Sequence, residues 1–304
     1  MRILITTVIL VSLFFNAKSQ SNCDCYERLS GLARLKHHEG QIDSALIIYK
    51  KAFSFLPEES KNKYNYILLS QYFSANELID SAAYYAEKAM KNGYDPDNIL
   101  KKQDFEPLIN SEYWENLQDL KPTLNNFNWE YYNALKEMAG IDQAIRDENK
   151  LGKWANDSIY YLVDSINLYA LKELINKYGF PSVTSHGFNF TETMIFLIHS
   201  SVYSEEMFKE VLNILHEANH DCLISKGLIA TFIDRRIMWV ENEKQVTGTW
   251  NNAKEFNPIS DLSNVDSLRF NFNLLNLEDY GRMRGFKVPD DYLKSNYPKN
   301  YFCK

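Results

Sequence analysis

Apolar residues recur along most of this chain at spacings of three and four, the period of a helix that buries one face. The pattern predicts helical segments over about 26–59 and 63–96. It continues over 97–127, where Ile99, Leu100, Phe105, Leu108, Trp114 and Leu117 are apolar anchors interrupted by Pro107 and Pro122. From Trp129 the period returns, with Trp129, Tyr132, Leu135 and Met138 three apart. A long helix from Ser158 to Tyr178 follows, closed by Gly179 and Pro181. Further helices are expected at about 190–200, 204–218 and 225–239. Between Glu241 and Trp250 the period is lost, and Gly248 between Thr247 and Thr249 reads as a turn or short hairpin. The expected class is all-α, in two domains over 20–127 and 128–304.

One apolar run has no polar face. Ile3 to Phe15 is too short to span a bilayer, follows Arg2, and precedes the small residues Ala17 and Ser19. It reads as a signal peptide over 1–19, with the mature chain starting at Gln20 and destined for the periplasm, the envelope or the medium. A lipid on Cys23 is the competing reading, opposed by Asn22, where a small residue would be expected. No later stretch approaches 18 uninterrupted apolar residues, so that lipid is the one expected route to a membrane.

The tripeptide Asp-Ser-Ala occurs at 43–45 and again at 80–82, each time opening an aromatic-rich helical run. In the first copy Ala45, Tyr49, Ala52 and Pro57 follow Leu29, Leu32, Ala33 and Gly40; in the second, Tyr66, Leu69, Ser70, Phe73, Ala82 and Ala89 take matching places. This spacing resembles the tetratricopeptide repeat, with Lys36 and Ala86 departing from it. The resemblance implies paired helices meeting at small residues and a surface for a peptide or protein partner. Two such hairpins need a neighbour to cover them, a task for 97–127.

Removal of Arg2 and Lys18 with the signal takes the net charge from −7 to −9, which argues against a nucleic-acid partner. Cysteines 23, 25, 222 and 303 allow three full pairings. A Cys23–Cys25 bond would close a very tight ring, so distant partners are sterically easier. Metal binding by Cys23, Cys25, His37 and His38, or by His216 and His220, lacks converging ligand spacing. No metal or other cofactor is expected, and no nucleophile elbow, phosphate loop or zinc-protease motif is present. Cys222 reads as structural, and the locally basic tail from Gly281 as solvated.

A run of short polar motifs occupies about 138–280. Asp142, Gln143 and Arg146 form D-Q-x-x-R; Asp164 and Asn167 form D-x-x-N; Gly179 to Pro181 is G-F-P. His199 ends an apolar helix, Asp234 and Arg235 form D-R, Gln245, Gly248 and Thr249 form Q-x-x-G-T, and Val265, Asp266 and Arg269 form V-D-x-x-R. In order and spacing these resemble a bacterial family of uncharacterised domains, a likeness that implies no known activity. Val246 and Thr247 before Gly248, and Ser200 after His199, depart from its usual pattern.

Chemically, the set holds the parts of a hydrolase. His199 is the candidate general base, Asp142 or Asp234 orients it, and Arg146 or Arg235 holds an anionic substrate. Gln143, Asn167, Gln245, Thr249 and Arg269 are the candidate binding residues. The same residues can equally form an ion-pair network that ties helices together. The sequence therefore predicts first an envelope protein acting through protein contacts at its repeats, with a hydrolase or a scaffold as alternatives.

Overall fold

The computed structural model describes residues 22–57, 60–120, 128–146, 157–181, 190–201, 204–251, 255–292 and 303. Residues 1–19, where a signal peptide is expected, lie outside them. Among the described residues are thirteen α-helices and no strand beyond a single bridging pair, Gln245 with Ile259, so the class is all-α. Residues 241–250 form a bent turn; the hairpin alternative is not realised there. No described helix is long and apolar enough to cross a membrane.

The first half is two helical hairpins, α1 (Asn22–His38) with α2 (Ile42–Ser54) and α3 (Lys63–Ala75) with α4 (Ile79–Lys91). Ala33, Ala45 and Ala52, and Ala82, Ala86 and Ala89, are completely buried, because side chains of one carbon let the paired helices close on each other. Gly40 makes the first turn at φ +73°, a left-handed conformation that costs glycine least. Asn62 caps α3 by accepting from Tyr64 and Asn65, whose own side chain returns the bond. Between hairpins Tyr49 stands edge-on to Tyr72 at 5.4 Å. The expected cover is present: Ile99 and Phe105 lead into α5 (Glu106–Ile109) and α6 (Trp114–Gln118), and Leu108, Trp114 and Leu117 complete the core. Leu100 is not part of it, since the turn that points Ile99 inward leaves Leu100 55 % exposed.

In the second half, α7 (Trp129–Arg146), α8 (Asp157–Tyr178) and α9 (Phe190–Ser200) pack on one another. α10 (Glu205–His220) and α11 (Lys226–Trp239) complete their core. The buried face of α7 runs through Tyr131, Leu135 and Asp142, while Trp129 is 57 % exposed. Of the expected Trp129–Tyr132–Leu135–Met138 stripe, Leu135 is in the core and Met138 packs against it, while strict three-residue spacing drifts out of register with 3.6 residues per turn and leaves Trp129 exposed. Two short helices follow, α12 (Val265–Asn271) and α13 (Leu277–Arg284), and α13 packs against α1. Gly281 is therefore buried in α13 rather than opening a solvated tail, and Arg282 of that helix pairs with Glu39 at 3.3 Å.

The halves are fastened through α1. Cys23 pairs with Cys222 and Cys25 with Cys303, with Cα separations of 5.3 and 5.5 Å. The thiol that would carry a lipid, and those offered to a metal with His37 and His38, are spent in these bonds. On the same helix Arg28 donates to Asn273 at 2.6 Å and lies over the Phe270 ring at 3.8 Å. Asp24 pairs with Lys226 at 2.6 Å. The Glu27 carboxylate sits at the N-terminus of α11, accepting from the Lys226 N–H at 3.1 and 3.2 Å and from Asn273 at 2.8 Å.

Burial pushes the Glu27 carboxyl up to about 7, against the lowering by those hydrogen bonds. The folded state then holds a proton that the unfolded chain releases near 4.5. The stability Glu27 contributes is thus fully present below about pH 4.5 and lost as pH rises through about 7. Urea unfolding at pH 5 and pH 8 is expected to show wild type losing roughly 1–3 kcal/mol more than Glu27→Gln across that interval.

Candidate functional site

Three helices meet at a group of charged side chains. Asp142 and Arg146 are one turn apart on α7, Asp164 comes from the middle of α8, and His199 from the last turn of α9. Arg146 Nε donates to Asp142 at 3.1 Å, and the same guanidinium bonds Asp164. His199 Nδ1 lies 3.4 Å from Asp142 Oδ1 and 3.9 Å from Asp164 Oδ1. Gln143 Nε2 donates to the second Asp142 oxygen at 2.7 Å. The two carboxylates are sealed, at 0 and 1 % exposure, whereas His199 and Arg146 keep 20 and 23 %. The cluster is thus buried on its acidic side and open on its basic side.

Burial alone would raise the Asp142 carboxyl, but the His199 hydrogen bond and the Arg146 charge outweigh it and hold it below the usual range. Burial likewise opposes the Arg146 charge, and the two aspartates more than restore it. Asp142, Asp164 and His199 offer ligand atoms within 4.8 Å of one another, the spacing a metal ion needs. Arg146 already bonds both carboxylates, so a metal would have to displace it. Not every polar atom is spent. Asp164 Oδ2 and Asn167 Nδ2, one turn apart on α8, are buried without a partner among the described residues.

Asp234, the other candidate for orienting His199, is committed elsewhere. Its carboxylate accepts five hydrogen bonds, from the N–H groups of Val246, Thr247 and Thr249 and the hydroxyls of Thr247 and Thr249, at 2.6 to 3.0 Å. Arg269, also fully buried, holds the opposite edge of the same loop by donating to the Thr247 carbonyl at 2.6 Å and to that of Leu275 at 2.6 Å. Gln245 accepts from the Trp250 N–H at 3.0 Å and donates to the Asn257 carbonyl at 2.7 Å. Asp234, Gln245, Thr249 and Arg269 therefore shape the 245–250 loop, and their polar groups face its backbone.

Gly248 at the loop apex has φ +71°, and an added Cβ would stand 2.9 Å from Ile259 Cδ1 and 3.0 Å from Leu277 Cδ1. Gly248→Ala is expected to cost about 1–2 kcal/mol in thermal unfolding, most of it from the left-handed backbone, since the two methyl groups can shift.

Arg235 points away from that loop's interior. It lies over the rings of Trp239 at 4.2 Å and Trp250 at 5.0 Å, and its Nε is buried without a hydrogen-bond partner among the described residues. Burial holds its guanidinium below the ordinary arginine range, and the charge of Arg146 adds to that. The described contacts of Arg235 are thus to the two indoles, and Asp234 beside it is committed to the loop. Asp164 in the His199 group, and the two tryptophans against Arg235, are not among the site residues expected from sequence. The signals for them were the i, i+4 spacing of Arg235 and Trp239 and the D-x-x-N motif itself. Among the described residues His216 and His220 belong to no group of this kind, and His220 pairs with Asp221 at 3.2 Å. No family model matches the chain, and neither the curated proteins nor the solved structures include a detectable relative.

Proposed function

We propose that the second half carries an acid–base site of hydrolase type for an anionic substrate, in an exported protein whose helical hairpins are fastened to it as a platform. The observation that carries this reading is His199, with Nδ1 toward buried Asp142 and part of the ring exposed. In that arrangement the proton sits on Nδ1, and Nε2 is the basic nitrogen that takes a proton from an attacking water. Asp142 stabilises the imidazolium that results, and Arg146 and Arg235 supply the charge that holds the anion. Among the described residues Asp164, Asn167 and Arg235 keep buried polar atoms without a partner, as room for a ligand requires. Export is supported by the two disulfides, which persist in an oxidising compartment, together with the signal-like start.

The test is turnover of a panel of carboxylate-bearing esters, amides, glycosides and phosphoesters by the mature protein. His199→Gln is expected to lose about 100-fold or more in kcat/KM while its melting temperature stays within a few degrees. No turnover on the whole panel, or turnover indifferent to His199, sinks the reading.

A second reading, protein contacts at the hairpins, is favoured by Ile47, Tyr64, Leu78 and Tyr84, which stay exposed on that half. Capture of an envelope protein that Ile47→Asp with Tyr84→Asp abolishes would support it. Undiminished capture would remove it.

A further inference from the structure

We propose that Arg235, Trp239 and Trp250 form a binding subsite for the ring of the substrate, a sugar or aromatic ring that carries a carboxylate or phosphate. This names the substrate class of the site proposed above and rests on that reading for its catalytic meaning. The binding claim stands on its own geometry.

Among the described residues Arg235 makes no ion pair and no hydrogen bond. An arginine near a protein surface ordinarily finds a carboxylate, and here its neighbours are two indoles. Cation–π contact with the rings holds the guanidinium without using its N–H groups, which remain to donate to an anion. The two indoles meet edge to face, at 88° and 5.9 Å between centroids, so they form a corner around the cation. Trp239 is 60 % exposed, leaving surface for a second ring to stack against. Trp250 is held in place by the loop, through Gln245 on its N–H and Asn257 on its carbonyl at 2.9 Å. Asp234 and Arg269 thus have a positioning role here: they fix the loop that brings Trp250 to Arg235. The charge of Arg146 adds to the burial that disfavours the Arg235 cation, a cost that a bound anion would offset.

Indole N–H resonances of the mature protein, assigned by mutation, would be followed by NMR during titration with phenyl phosphate, benzoate, glucuronate, inorganic phosphate and glucose. The ring-bearing anions are expected to shift the Trp239 and Trp250 signals and to saturate. Glucose should do neither. Phosphate should bind more weakly than phenyl phosphate, and comparison of glucuronate with benzoate tells a sugar ring from an aromatic one. Arg235→Gln should weaken binding about tenfold or more, with Arg235→Lys intermediate. Trp239→Ala should bring phenyl phosphate down to the affinity of phosphate. His199→Gln should keep the binding, so loss of turnover with binding intact separates the two claims. Absence of saturable shifts with every ring anion, or affinities unchanged by Arg235→Gln in a variant that melts normally, overturns the subsite.

Discussion

Asp234→Ala is expected to lower the unfolding free energy by about 3–5 kcal/mol, in urea titrations with the disulfides intact. The size follows from what the carboxylate does. It is completely buried, and both oxygens are filled, by three backbone N–H groups and two threonine hydroxyls. Alanine strands those donors out of water and also leaves a void. Asp234→Asn keeps the volume but swaps one acceptor for an amide that faces donors, so it is expected to be only partly better. Because the loop places Trp250, both variants should also disturb that indole, visible as a changed Trp250 N–H resonance. A loss under 1 kcal/mol for the alanine variant would mean that the loop is not held as described.

Breaking the two disulfides together is expected to be the other large effect. They close sequence separations of 199 and 278 residues, for which the chain-entropy estimate is about 5 kcal/mol each before native-state relaxation. Their anchors on α1 are only two residues apart, so either bond alone still ties that helix to the second half. Single-pair variants should therefore lose about 2–3 kcal/mol, and the variant lacking all four cysteines distinctly more than twice that. The remaining links include Arg28 to Asn273, Asp24 to Lys226, Arg282 to Glu39, Ser60 to the Asp221 carbonyl and Glu27 at the start of α11, each of modest strength. Unfolding of the reduced protein should then split into two transitions, the hairpins separating from the second half. A single unchanged transition on reduction would contradict the clamp.

Much of the fold could be read in advance where it depends on local spacing. The alanines at 33, 45, 52, 82 and 89 stand at intervals that only close helix pairs require, and all are buried. Gly179 after α8 also has positive φ, as its place before Pro181 suggested. Asp142 and Arg146, four apart on one helix, face each other for the same local reason. What could not be read depends on how distant elements come together. The partner of each cysteine is set by where α1 docks, which no spacing encodes. Asp234 and Asp142 look alike in sequence, both beside a charged or polar neighbour in a helix. Asp234 turns toward backbone N–H groups 12 to 15 residues away, donors that carry no sequence signature. Asp164 joins His199 only because α8 and α9 pack side by side.

The central claim is that His199 is an acid–base group oriented by Asp142, and its most direct test needs no substrate. Nitrogen-15 NMR of the imidazole rings, with His199 assigned by mutation, reports which ring nitrogen holds the proton in the neutral form. The geometry predicts the proton on Nδ1 and a bare Nε2 in the wild type, and a shift toward the other tautomer in Asp142→Asn. A neutral His199 protonated on Nε2, or a spectrum that Asp142→Asn leaves unchanged, would contradict the account.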